Sequence, residues 1–102
     1  EVNAIRKACK ELQTFDLSGC EIYSSCEPCP MCLGAIYWAR LDKLYFASTR
    51  EDAAKAGFSD EFIYEELNKT IETRSIRTRN IMNKEGKVVF DSWNEFEDKI
   101  MY

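Results

Sequence analysis

The sequence predicts an α/β domain, and three observations lead there. Val2, Ile5, Cys9 and Leu12 recur at the spacing of one helical face. Residues 20–25 (CEIYSS) and 43–48 (KLYFAS) read as strands. Between them, an apolar stretch from Pro30 to Arg40 reads as a connecting helix. Helices alternating with strands pack as a layered sandwich. A length of 102 residues suits one domain over 1–102 with a modest core. Hydrophobic content of 45% with 31% charged residues argues against wholesale disorder.

Each element has its own warrant. The first helix ends near Gln13, and residues 16–19 supply a turn. The strand over 20–25 alternates, then runs into a cysteine-rich loop. Pro28 and Pro30 forbid a helix through them but suit its first turn, where a missing N–H costs nothing. Asp42 breaks that helix, and the strand over 43–48 is apolar enough to be covered on both faces. A short helix over 51–56 stops at Gly57. Another covers 60–67, with Ser59 as its cap. A third strand is expected over 75–82, a turn over 83–87 around Gly86, and a last helix over 92–100. Gly34 is expected to let its helix pack closely on the sheet.

Charge and composition narrow the function. A net charge of −4 opposes a broad nucleic-acid footprint. No apolar run reaches the length of a membrane span. Five cysteines are an odd number without the spread of a secreted disulfide framework, so a reducing, cytoplasmic setting is expected. There is no histidine, and the chain starts in helical stride at Glu1 without a Ser, Thr or Asp cap. We therefore expect it to be part of a longer polypeptide.

The chemistry concentrates in SCEPCPMC, residues 25–32. A disulfide staple, an iron–sulfur cluster, a structural zinc site and a catalytic zinc site all use crowded cysteines. Cys29 and Cys32 lie three apart at a helix start, so their thiols share a face and can converge on one ion. The helix N-terminus favours thiolates there. A bacterial-type iron–sulfur run needs a further cysteine where Ile36 stands. Cys9 and Cys20 lack ligand spacing for a four-thiolate site, and Cys26 reads as a buried strand-end thiol. Catalytic zinc needs three protein ligands and an open position. Two are offered here, with the carboxylate Glu1 besides.

PCPMC and GAIYWAR, with EVNAIRKA upstream, resemble the zinc-dependent nucleobase deaminases of the cytidine deaminase superfamily. These pair a His-x-Glu motif with a Pro-Cys-x-x-Cys motif. Glu1 matches the glutamate of the first motif, while Pro28, Cys29 and Cys32 match the second. Within that superfamily, DAAKAGFSDEFIYEEL and a tail bearing Trp93, Phe96 and Tyr102 resemble the bacterial guanine deaminases. The resemblance implies a three-layer α/β/α sandwich of the cytidine deaminase type around a mixed sheet, its N-terminal strands lying outside these residues. It implies Zn2+ held by Cys29, Cys32 and a histidine two residues before Glu1, with Glu1 as proton shuttle. Asp60, otherwise a helix cap, would contact a purine substrate and assist proton transfer. Trp38, Phe58 and Tyr102 would line the purine. Residues 89–102 would be exchanged between the subunits of a homodimer. A tRNA adenosine deaminase shares both motifs but should carry a basic surface, whereas Glu72 and Glu85 interrupt the late cluster of Lys and Arg. A non-catalytic zinc module is the alternative from another class.

Overall fold

The structure, a computed structural model, describes residues 1–102 as two units, Glu1–Leu67 and Asn68–Tyr102. In the first unit, helix α1 (Val2–Leu12) buries Ile5 and half-buries Val2 and Cys9, while Leu12, the last of the periodic set, stays exposed. Gln13 closes it in a left-handed conformation (φ 51°). The chain then reverses through a turn in which the Asp16 carboxylate accepts the Ser18 N–H at 2.9 Å. That turn delivers Leu17, only 2% exposed, against Ile5, Ile22, Ile36 and Ala39. The Leu17 N–H donates to the Ala39 carbonyl at 2.8 Å, so the turn is bonded to the far end of the next helix.

Strands β1 (Glu21–Cys26) and β2 (Lys43–Ser48) pair in parallel, with Ile22 opposite Leu44 and Cys26 opposite Ser48. A parallel pair needs a crossover, which helix α2 (Pro30–Trp38) supplies. The Tyr23 and Tyr45 rings stack across the pair at 4.8 Å. The expected mixed sheet is, within these residues, this one parallel pair. Cover on both faces of β2 is not found: Tyr45 and Phe46 are each 43% exposed. Nor does Gly34 serve close packing, since a methyl group there would meet nothing within 4 Å.

Helix α3 (Arg50–Lys55) starts from a capping box in which Thr49 and Asp52 satisfy each other's backbone N–H groups. Gly57 ends it at φ 93°, a conformation that favours glycine. Helix α4 (Glu61–Asn68) follows, its first N–H donating to the Ser59 hydroxyl at 3.4 Å.

The second unit departs from expectation. Residues 75–82 form no strand. Ile76 and Ile81 are 80% and 73% exposed, and β-prone residues make a strand only where a partner satisfies their backbone. A single 3₁₀ turn occupies Ile71–Thr73. Helix α5 spans Asn83–Glu95, replacing the expected turn and starting well before residue 92. Lys84, Glu85 and Lys87 are good helix formers, and one interior glycine costs only about 1 kcal/mol. No helix is long and apolar enough to cross a membrane.

Leu17 joins four segments, so Leu17→Ala should destabilise the full-length protein by about 2–5 kcal/mol, read from urea unfolding.

Candidate functional site

The cysteine loop begins where β1 ends. The Glu27 N–H donates to the Ser48 carbonyl at 2.8 Å, carrying the strand pairing one residue further, and Pro28 is fully buried. Cys29 is the N-cap of α2 in an extended conformation, and Pro30 takes the first helical position. The Cys29 carbonyl accepts the Leu33 N–H at 2.9 Å. One turn on, Cys32 is buried while Cys29 is half-buried, and the two thiols interact. Cys26 is half-buried, its Sγ 4.0 Å from the Thr49 carbonyl, apart from the pair's chemistry.

Packing of α1 on α2 brings Glu1 to this point. Its carboxylate accepts the Ser24 hydroxyl at 2.8 Å and hydrogen-bonds with the Cys32 thiol. These contacts favour the ionised acid: the Ser24 hydrogen bond foremost, with a lesser part from the Cys32 thiol, holds Glu1 below the usual glutamate range against the opposing effect of desolvation. Cys32 moves the opposite way. Burial pushes its thiol up, and the neighbouring Glu1 and Cys29 add to the rise. Ser24 has one hydroxyl proton but two acceptors, Glu1 at 2.8 Å and the Cys26 carbonyl at 2.7 Å. An ionised carboxylate is the stronger acceptor.

Beside the thiols lies a second cluster. Arg50 Nε donates to Asp60 Oδ1 at 3.2 Å, and its guanidinium lies 3.7 Å over the Tyr64 ring. The Arg50 backbone N–H donates to Glu27 Oε2 at 3.0 Å, tying α3 to the cysteine loop. Burial raises the Tyr64 phenol, and Cys29 is among the groups close enough to act on it. Arg50 and Asp60 line a cavity of about 150 Å³, small for a purine-sized ligand by itself.

The structure thus joins Glu1, Cys29 and Cys32, with Asp60 linked to them through Arg50 and Glu27. Phe58 stands 78% exposed on the segment before Asp60. Trp38 is at the other end of α2, about 13 Å from Cys29 at 1.5 Å per residue. Tyr102 belongs to the second unit. Ser24, Glu27, Arg50 and Tyr64 are site residues that the sequence does not announce. The Thr49–Asp52 cap has a local pattern, but nothing local marks Arg50 as the partner of a residue ten positions on.

Residues 1–48 match the family described as the cytidine and deoxycytidylate deaminase zinc-binding region. Over all 102 residues the chain is 50% identical to guanine deaminase of Bacillus subtilis (strain 168). The X-ray structure of that species' guanine deaminase superimposes over 99% of this chain with a TM-score of 0.94. The fold is a cytidine deaminase fold. The chain is a guanine deaminase homologue that spans 65% of that relative's length and 64% of the solved chain. A tRNA-specific adenosine deaminase of Bacillus subtilis is 44% identical over 48 residues, covering 47% of this chain and 30% of the relative.

In this deaminase fold the donor set fits zinc as a half-site. Two thiols converge at a helix N-terminus, a soft pair suited to that ion. No three His, Cys, Asp or Glu residues of the chain group as a metal site, so what these residues offer is the thiol pair.

Removing the Ser24 hydroxyl takes away the largest stabilisation of the Glu1 carboxylate. Ser24→Ala should therefore raise the Glu1 pKa in the zinc-free protein, measured by ¹³C NMR titration.

Proposed function

We propose that the protein carrying this chain hydrolyses guanine to xanthine and ammonia. One observation carries the reading: Glu1 sits against Cys32 of the thiol pair in a chain half identical, along its whole length, to a guanine deaminase. Cys29 and Cys32 hold zinc together with a histidine, placed two residues before Glu1 in the longer sequence. When bound, the ion supplies Lewis-acid activation of water. Glu1 takes a proton from the water that attacks C2 of guanine, passes it to the ring, and assists the amine's departure as ammonia. Ser24 keeps Glu1 ionised and aimed for the first transfer. Asp60 contacts the purine and shares in proton transfer. Phe58 offers it an exposed apolar wall. Five cysteines, all of them free thiols, suit an enzyme of the reducing cytoplasm.

The homodimer belongs to the same reading. Val88, Val89, Phe90, Ile100, Met101 and Tyr102 are each more than half exposed, apolar surface that a partner would cover. Residues 89–102 are exchanged, and Tyr102 closes the other subunit's pocket. Trp38, 70% exposed, belongs to the same reading as a flat apolar wall for the purine.

Xanthine formation from guanine tests the activity. In the full-length protein Glu1→Gln should keep fold and zinc while lowering kcat about 10²–10⁴-fold. Cys29→Ala or Cys32→Ala should lose the metal, measured by atomic absorption. Mixing Glu1→Gln protein with protein lacking residues 91–102 tests the exchange. A swapped heterodimer regains one intact site and so recovers activity. Heterodimers without recovery would show that the tail closes its own site.

A further inference from the structure

We propose that Arg50 is a positioning residue that holds the Asp60 carboxylate at the thiol site. The inference rests on the reading that Asp60 meets the substrate. Arg50 is attached at three points. Its Nε donates to Asp60 Oδ1 at 3.2 Å, its guanidinium covers the Tyr64 ring at 3.7 Å, and its backbone N–H is held by Glu27 at 3.0 Å. Glu27 stands two residues before Cys29. A path of direct contacts therefore runs from the cysteine loop through Glu27 and Arg50 to Asp60.

The geometry favours orientation over mere charge balance. The Asp60 side chain is 17% exposed and that of Arg50 33%, so the pair is better shielded than an ordinary surface ion pair. Asp60 and Tyr64 lie one helical turn apart, joined by the Tyr64 N–H to the Asp60 carbonyl at 3.2 Å. One flat guanidinium thus grips the start of α4 from two sides, at a carboxylate and at a ring. Lysine supplies the charge but neither the planar face nor the fixed Nε direction. Asp60 follows the turn at Gly57, where φ is 93°, so the Arg50 side chain spans that turn from α3 to the start of α4. The link to Glu27 uses the Arg50 backbone, so it survives any change of that side chain and keeps α3 on the loop.

A double-mutant cycle on the full-length zinc protein tests this, with Arg50→Ala, Asp60→Asn and the double variant assayed on guanine. Groups in contact couple measurably, whereas independent ones add. Arg50→Ala should lower kcat about 10-fold with zinc content unchanged, but by less than about 2-fold in the Asp60→Asn background. Arg50→Lys should fall between Arg50→Ala and the parent in kcat. Should Arg50→Ala fail to fold or to hold zinc, Arg50→Lys takes its place in the cycle and must show the same loss of effect in that background. If Asp60→Asn is impaired yet the Arg50 effect is absent, or is undiminished in the double variant, Asp60 keeps its role and positioning by Arg50 is overturned. If Asp60→Asn turns over guanine like the parent, the underlying reading of Asp60 fails and this proposal with it.

Discussion

The site depends on the parallel pairing of β1 with β2. Cys26 lies opposite Ser48, and the Glu27 N–H extends the ladder to the Ser48 carbonyl. That single register brings two chain reversals to one edge of the sheet. The loop leaving β1 becomes the cysteine motif, and the loop leaving β2 becomes the Thr49 cap of α3. Glu27 then accepts the Arg50 N–H across the gap. Slipping the register by one residue would turn every side chain of a strand to the opposite face and separate these groups. Pro28, fully buried between strand and helix, fixes the direction in which the chain leaves.

Around this frame, electrostatics divides labour between two acidic groups. Glu1 and Cys32 share a hydrogen bond, yet their environments push them apart: the carboxylate toward ionisation, the buried thiol toward protonation. In the metal-free molecule, the negative charge at this point belongs to the carboxylate. A cation arriving there changes the balance, since it favours the deprotonated thiol. Thiol and carboxylate therefore answer to different influences, the first to an incoming cation and the second to the Ser24 hydroxyl.

Legibility in the sequence follows the range of the interactions. Helix α1 and both strands carry their periodicity in consecutive residues, and the expected bounds of β2, 43–48, are the observed ones. The thiol pair is equally plain, because three residues along a helix start set its spacing. Ser24 is not: it meets Glu1 across 23 residues, through the packing of α1 and the course of β1. The Arg50–Asp60 pair likewise arises from the turn at Gly57 rather than from any pattern. Residues 75–82 show the converse failure. Their β-branched residues suggest a strand, but strand formation is a property of a pair, and no partner lies within this chain. Helix α5 differs from expectation because Gly86 reads as a breaker, although its neighbours favour a helix.

The mixture of short and long range has a consequence for robustness. Cys29 and Cys32 are set by a single turn of α2, whereas the place of the Glu1 carboxylate depends on α1 remaining docked against α2. Local opening that lifts α1 would leave the sulfur pair in place but take the carboxylate away. Such a molecule would keep its two thiols together with no acid beside them. Mild heat or low denaturant should therefore break the cluster at the contact between Glu1 and Cys32 before the sulfur pair itself is lost.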